Sequence, residues 1–165
     1  MIVLALGLAA GTGWLLVSVK PLIDEARAAV DGFHASYETG AYDSIYDGSH
    51  VSLQEGLTRA DALARLGEIH VRMGNVREVS FACFTTVSTP DGKHVRVEYT
   101  VAFDNGDAWE SYDWRYENGE PRLLAYAVEV GYEDGEPDWE VYLAPAGIRP
   151  NAGTCAEDGL LWWER

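Results

Sequence analysis

Val95-Arg96-Val97-Glu98-Tyr99-Thr100-Val101-Ala102-Phe103 alternates apolar and polar residues almost without a break. Successive side chains of a strand point to opposite faces, so this spacing predicts a strand. Val95, Val97, Tyr99, Val101 and Phe103 take one face, and Arg96, Glu98 and Thr100 take the other. Turn signals bracket it: Thr89-Pro90-Asp91-Gly92 before, Asp104-Asn105-Gly106-Asp107 after. Upstream, Val79, Phe81, Cys83, Thr85 and Val87 read as one row of a preceding strand. Downstream, Ala108 to Tyr116 predicts a third strand, with Glu110, Tyr112, Trp114 and Tyr116 on one face. Trp109, Ser111, Asp113 and Arg115 fall on the other. Asn118-Gly119 turns the chain again, and Leu123 to Val130 makes a fourth strand. Connections this short require antiparallel neighbours, because a parallel pair needs a crossover of about a dozen residues.

The residues before this meander have helical spacing. Leu22, Ala26, Ala29, Val30, Phe33 and Tyr37 recur at steps of three and four, and Gly40 supplies a C-terminal stop. Ala41 to Tyr46 reads as a short second helix and Asp47-Gly48-Ser49 as a turn. Thr58 with Asp61 resembles a capping box, and Leu57, Leu63, Leu66, Ile69 and Met73 give the third helix an apolar stripe up to Gly74. Three helices followed by a meander of four strands, or five if Trp139, Val141 and Leu143 add one, predict an α+β domain with helices on one sheet face.

At the N-terminus, Ile2 to Val19 holds no charged residue. Eighteen residues at ~1.5 Å each nearly match the ~30 Å hydrocarbon core of a bilayer. A single transmembrane anchor over residues 1–20, with the soluble part outside the cytoplasm, is the expectation, and a cleaved signal peptide is the alternative. The chain has 12 basic and 27 acidic residues, a formal net charge of −15. Such a surface repels nucleic acid, so no nucleic-acid partner is expected. Beyond Tyr132 the pattern decays, and residues 133–165 read as a C-terminal extension ending in Leu160, Leu161, Trp162 and Trp163. That apolar tail packs on the same domain or meets a partner.

The order helix, Gly-x-Tyr, short helix, third helix and curved strands resembles the NTF2-like (cystatin-like) fold, and within it small exported or membrane-tethered bacterial domains. The likeness rests on Phe33-His34-Ala35-Ser36-Tyr37-Glu38-Thr39-Gly40-Ala41-Tyr42-Asp43-Ser44-Ile45-Tyr46, Val97 to Phe103, Glu110 to Arg115 and Leu123 to Tyr126. It covers roughly Leu22 to Val130, with the domain itself set at 21–132. It implies a cone-shaped cavity between helices and sheet. Some relatives use the cone for isomerase or cyclase chemistry, while others bind small ligands or dimerise, and fold does not choose among them.

The cavity-lining candidates are Phe33, Tyr37, Tyr42, Tyr46, Tyr99, Tyr112 and Trp114. An isomerase needs a base and a hydroxyl donor in a dry site, and Asp47 and Asp113 are the candidate acid/base groups. A cone filled by Phe33, Tyr37, Leu66 and Trp114 speaks against an enzyme. His34, His50, His70 and His94 lack ligand spacing and read as surface or boundary residues, so no metal and no cofactor is expected. Cys83 and Cys155 either pair as a disulfide or stay apart. The acidic stretch from Asp104 to Glu140 reads as a charged, solvated sheet edge, which discourages strand-to-strand aggregation. The composite expectation is a membrane-tethered, non-enzymatic domain that binds a partner protein or small apolar ligand, or forms a homodimer. A ketosteroid-isomerase-like or cyclase-like enzyme with a Tyr/Asp pair is the alternative.

Overall fold

Residues 7–90, 92–133 and 136–145 are described by a computed structural model. Helix α1 spans Gly7–Glu38, α2 Tyr42–Asp47, α3 Val51–Gly56 and α4 Arg59–Met73. The strands are β1 Val76–Thr89, β2 Gly92–Phe103, β3 Gly106–Glu117, β4 Glu120–Glu133 and β5 Glu136–Leu143. They form one antiparallel sheet in the order β1-β2-β3-β4-β5. The fifth strand comes from the segment read as a C-terminal extension, and Cys155 with the apolar tail lies outside the described residues.

The expected row on β2 is the centre of the core: Val95, Val97, Tyr99, Val101 and Phe103 are all buried. Tyr112 and Trp114 of β3, and Leu123, Tyr126 and Val128 of β4, continue that face. The helices cover it. Ala26, Val30, Phe33 and Tyr37, spaced four, three and four apart, bury the inward stripe of α1, while Ala62, Leu66, Ile69 and Met73 do so for α4. The Thr58 side chain accepts from the Asp61 backbone N–H at 3.2 Å and donates to its carboxylate at 2.7 Å, as the capping pattern predicts. Asn118 and Gly119 both take positive φ, 53° and 87°, which a two-residue hairpin between twisted strands demands.

Three expectations need correction. Among the described residues the helices number four, because Val51–Gly56, which the sequence reading assigns to no element, forms α3, and Leu57 ends that helix instead of joining the next. Its cap is His50, whose Nδ1 accepts from the Ser52 N–H at 3.0 Å, a role outside the usual Ser, Thr, Asp and Asn repertoire. Secondly, the β1 row is broken. A bulge between Phe81 and Cys83 leaves Val79 and Phe81 opposite Val101 and Tyr99 on the helix side, but puts Cys83 opposite Glu98 on the far side. One extra residue inverts every side chain that follows. Thirdly, the acidic stretch is not solvated throughout, because part of the far face is buried. Arg96 and Asp113, each 2 % exposed, form a bidentate ion pair at 2.9 and 2.7 Å, and Glu98 and Ser111 are buried beside them.

The leader expectation lies partly outside the described residues, since Ile2 to Leu6 are not among them. Among those that are, no helix is long and apolar enough to cross a membrane.

Truncating the inner face should be costly: Trp114→Ala is expected to lose ~3–5 kcal/mol in urea unfolding. Val71→Ala, at a residue 87 % exposed on α4, should change stability by less than ~0.5 kcal/mol. Equal effects would show that the inner face is misplaced.

Candidate functional site

β3 carries a carboxylate onto the apolar face. Glu110 is 1 % exposed and sits in register between Tyr99 of β2 and Val128 of β4. A lone ionised carboxylate there would be prohibitively costly, so it requires donors. Three surround it. His34 of α1 places Nε2 at 2.8 Å from Oε2, the Tyr112 hydroxyl donates to the same oxygen at 2.8 Å, and Tyr126 donates to Oε1 at 2.5 Å. The Tyr112 oxygen is also 2.9 Å from His34 Nε2. Burial first, and the Glu110 charge second, push both tyrosines well above the usual phenol range, so they remain protonated donors. Burial pulls the His34 pKa down. The hydrogen bond and charge of Glu110, helped by Glu38 and Asp31, outweigh it, and the net shift is upward.

The site candidates divide. Phe33 and Tyr112 belong to this cluster: the Phe33 ring centroid is 5.2 Å from Tyr112 and 4.7 Å from Tyr126. Trp114 stacks on Tyr112 at 6.0 Å and Tyr99 meets it edge-on at 6.1 Å. Burial drives the Tyr99 hydroxyl up to about 12. Tyr37 is buried nearby and donates to the Gly74 carbonyl at 3.0 Å. That carbonyl lies in a tight corner, for a Cβ on Gly74 would come within 2.6 Å of Asp104 Cβ. Tyr42 and Tyr46 stand apart, held by His70 Nδ1 at 2.7 Å and by the Gln54 and Leu57 carbonyls at 3.1 and 3.0 Å.

The acid/base candidates go elsewhere. Asp47 is exposed and, like Asp43, pairs with Arg59. Asp113 is locked to Arg96 on the opposite face of the sheet. The histidine reading is corrected for three of the four, while half-buried His70 sits at the boundary as expected. His34, His50 and His94 are buried, and His70 stacks on Tyr37 at 4.8 Å. Among the described residues no group of His, Cys, Asp and Glu has the arrangement of a metal site. Cys83 stands on β1 with Sγ 3.7 Å from Glu98 Oε2.

Phe33, Tyr37, Leu66 and Trp114 are all core residues, so the space between helices and sheet is filled at this level. An open groove of about 200 Å³ remains between α1, α2 and the β3–β4 turn, floored by Phe33, Ile45, Trp114 and Leu123. A second concavity of about 510 Å³ lies on the far face, lined by Glu78, Asp107, Trp109 and Glu129 among others. Glu110 lines neither of them. The arrangement around Glu110 therefore acts as a clasp, joining α1 to β3 and β4. Alternation did place Glu110 on the inner face. Its partners come from 76 residues upstream and 16 downstream, separations that no local pattern encodes.

The raised His34 pKa gives the clasp a pH dependence. Its stabilisation is complete below the unfolded value of ~6.5 and is lost as pH rises through the higher folded value. Urea midpoints are therefore expected to fall as pH rises from about 6.5, and His34→Gln should flatten that slope. Glu110→Leu, which strands His34 and two hydroxyls, should cost about 3–5 kcal/mol at neutral pH. An unchanged slope in His34→Gln would refute the assignment. No family model matches the chain, and no curated protein does.

Proposed function

We propose that the chain is a non-enzymatic interaction domain of NTF2-like architecture that takes up an extended polypeptide strand along β1. One observation carries this reading. β1 is the outermost strand of the sheet, 14 residues long, and its segment Val79–Thr89 contains no charged residue and no proline. Val79, Phe81 and Phe84 are 36–38 % exposed there, on the helix side, with Arg27 of α1 reaching over Phe81. Sheet proteins normally blunt such an edge with charge, proline or shortness. An edge left long, apolar and uncharged suits β-strand addition, in which main-chain hydrogen bonds supply affinity. The uncharged run Ile2 to Val19 supports a membrane tether as a separate proposal.

A second reading, an isomerase-like or cyclase-like enzyme, draws support from Glu110 flanked by His34, Tyr112 and Tyr126. That is the mixture such chemistry uses. Against it, both carboxylate oxygens are already engaged and neither groove opens on them.

The test is a photo-crosslinking amino acid at position 84, compared with one at position 71 on exposed α4, in cells making the full chain. A discrete adduct from 84 and none from 71 is expected. Equal labelling from both positions, or none from 84, removes the strand-addition reading.

A further inference from the structure

We infer that the strand added to β1 is β1 of a second copy, paired antiparallel about a two-fold axis between Ala82 and Cys83. This rests on the reading of β1 as a strand-adding edge and names its occupant. The bulge carries the argument. In register with β2, Val79, Phe81, Phe84 and Thr86 lie opposite the inner-face residues Val101, Tyr99, Val97 and Val95. Ser80, Cys83, Thr85 and Val87 lie opposite Thr100, Glu98, Arg96 and His94 of the far face. The bulge thus makes the strand's facing pattern symmetrical about the Ala82–Cys83 bond. A two-fold there sets Phe81 opposite Phe84 of the other copy and Val79 opposite Thr86, inner face on inner face. Antiparallel partners must share a face, and pairing about the bulge meets that requirement from Glu78 to Val87, up to the second irregularity between Val76 and Glu78.

Charge agrees. The chain carries a net charge of −15, so association of two copies through most of its surface meets repulsion. In the proposed register the two charged residues of β1, Arg77 and Glu78, fall opposite Ser88 and Val87. At ~3.4 Å per residue the shared edge is roughly 45 Å long, and with the apolar stripe it buries on the order of 1,000 Å², the low end of specific interfaces. The two-fold is perpendicular to the sheet, so both sets of helices lie on one side and the six exposed apolar side chains meet between them. The dimer is therefore expected to be weak and reversible, in the micromolar range.

The register also brings the two Cys83 Cα atoms to about 6 Å, inside the ~4.4–6.8 Å that a disulfide spans. The experiment uses full-length chain with Cys155→Ser in detergent. Its mass is read by light scattering against concentration, and diamide is added to take the two thiol hydrogens and form the cross-link. Expected are a concentration-dependent dimer and rapid disulfide formation through Cys83. Phe84→Lys and Val79→Lys should each raise the dissociation constant at least tenfold, with melting temperatures close to wild type. A monomer at every concentration overturns the inference, as does a dimer indifferent to both lysines or one that diamide fails to cross-link. If the monomer result comes with a position-84 adduct of a mass other than twice the chain, the occupant is wrong and the strand-adding edge stands. If there is no adduct either, both fall.

Discussion

A carboxylate set in the middle of an apolar sheet face dictates its surroundings. Glu110 projects from β3 into the space that Phe33, Tyr112 and Tyr126 fill. Its charge is tolerable there only because a histidine and two phenols converge on it, each from within the packed layer. This couples three elements. α1 can rotate about its axis only by withdrawing His34, and β4 can slip by one residue only by turning Tyr126 to the far face. An all-apolar core of the same volume would be as stable or more so, but it would fix neither rotation nor register so strictly. The clasp is therefore better understood as a device for specificity than as a source of stability. The same consideration weighs against catalysis in the proposed reading, because both oxygens of this base already accept hydrogen bonds that hold the fold.

The far face repeats that logic with a different pair. Arg96 and Asp113 face each other across β2 and β3 and meet fork to fork, so each charge satisfies the other where water is excluded. Both residues lie at the polar positions of alternating strands, and the alternation was legible. What it could not supply was the meaning of polar. Periodicity assigns a residue to a face, and whether that face is wet depends on what covers it, which strand spacing does not contain.

The remaining divergences have equally local causes. The β2 row, the Asn118-Gly119 hairpin and the Thr58 cap were readable because each is set by residues within a few positions of one another. The bulges at Ala82 and Leu124 were not, because a strand with one extra residue has the same composition as one without, and only the partner strand reveals the slip. Helix α3 was missed because its cap is His50, whose ring nitrogen does what a serine hydroxyl does elsewhere. The His34 side chain gave no sign of its role for the reason given by its partners: Glu110 and Tyr112 come from a strand far along the chain. Of the candidate site residues, Phe33, Tyr112 and Trp114 lie together in the core, whereas Asp47 and Asp113 pair with Arg59 and Arg96 through contacts that no local pattern encodes.

These local irregularities also bear on what the sheet presents outward. Without the bulge, Val79, Phe81, Cys83, Thr85 and Val87 would share one face, and any antiparallel register that kept faces matched would serve equally well. The slip at Ala82 removes that freedom. It moves Phe84 to the helix side, where Phe81 also lies, and concentrates the exposed apolar surface at the outer edge of the sheet. Arg27 already lies over Phe81, with its guanidinium carbon 3.9 Å from the ring centroid, and shields part of that surface by a cation–π contact. An edge partly shielded and restricted in register is poorly suited to indiscriminate aggregation, despite its length and lack of charge. A bulge is commonly regarded as protecting an edge strand by bending it away from others. Here the same feature both limits promiscuous pairing and selects one pairing, because a two-fold axis maps a defect at the centre of a strand onto itself, while the second irregularity of β1 lies near its start, between Val76 and Glu78.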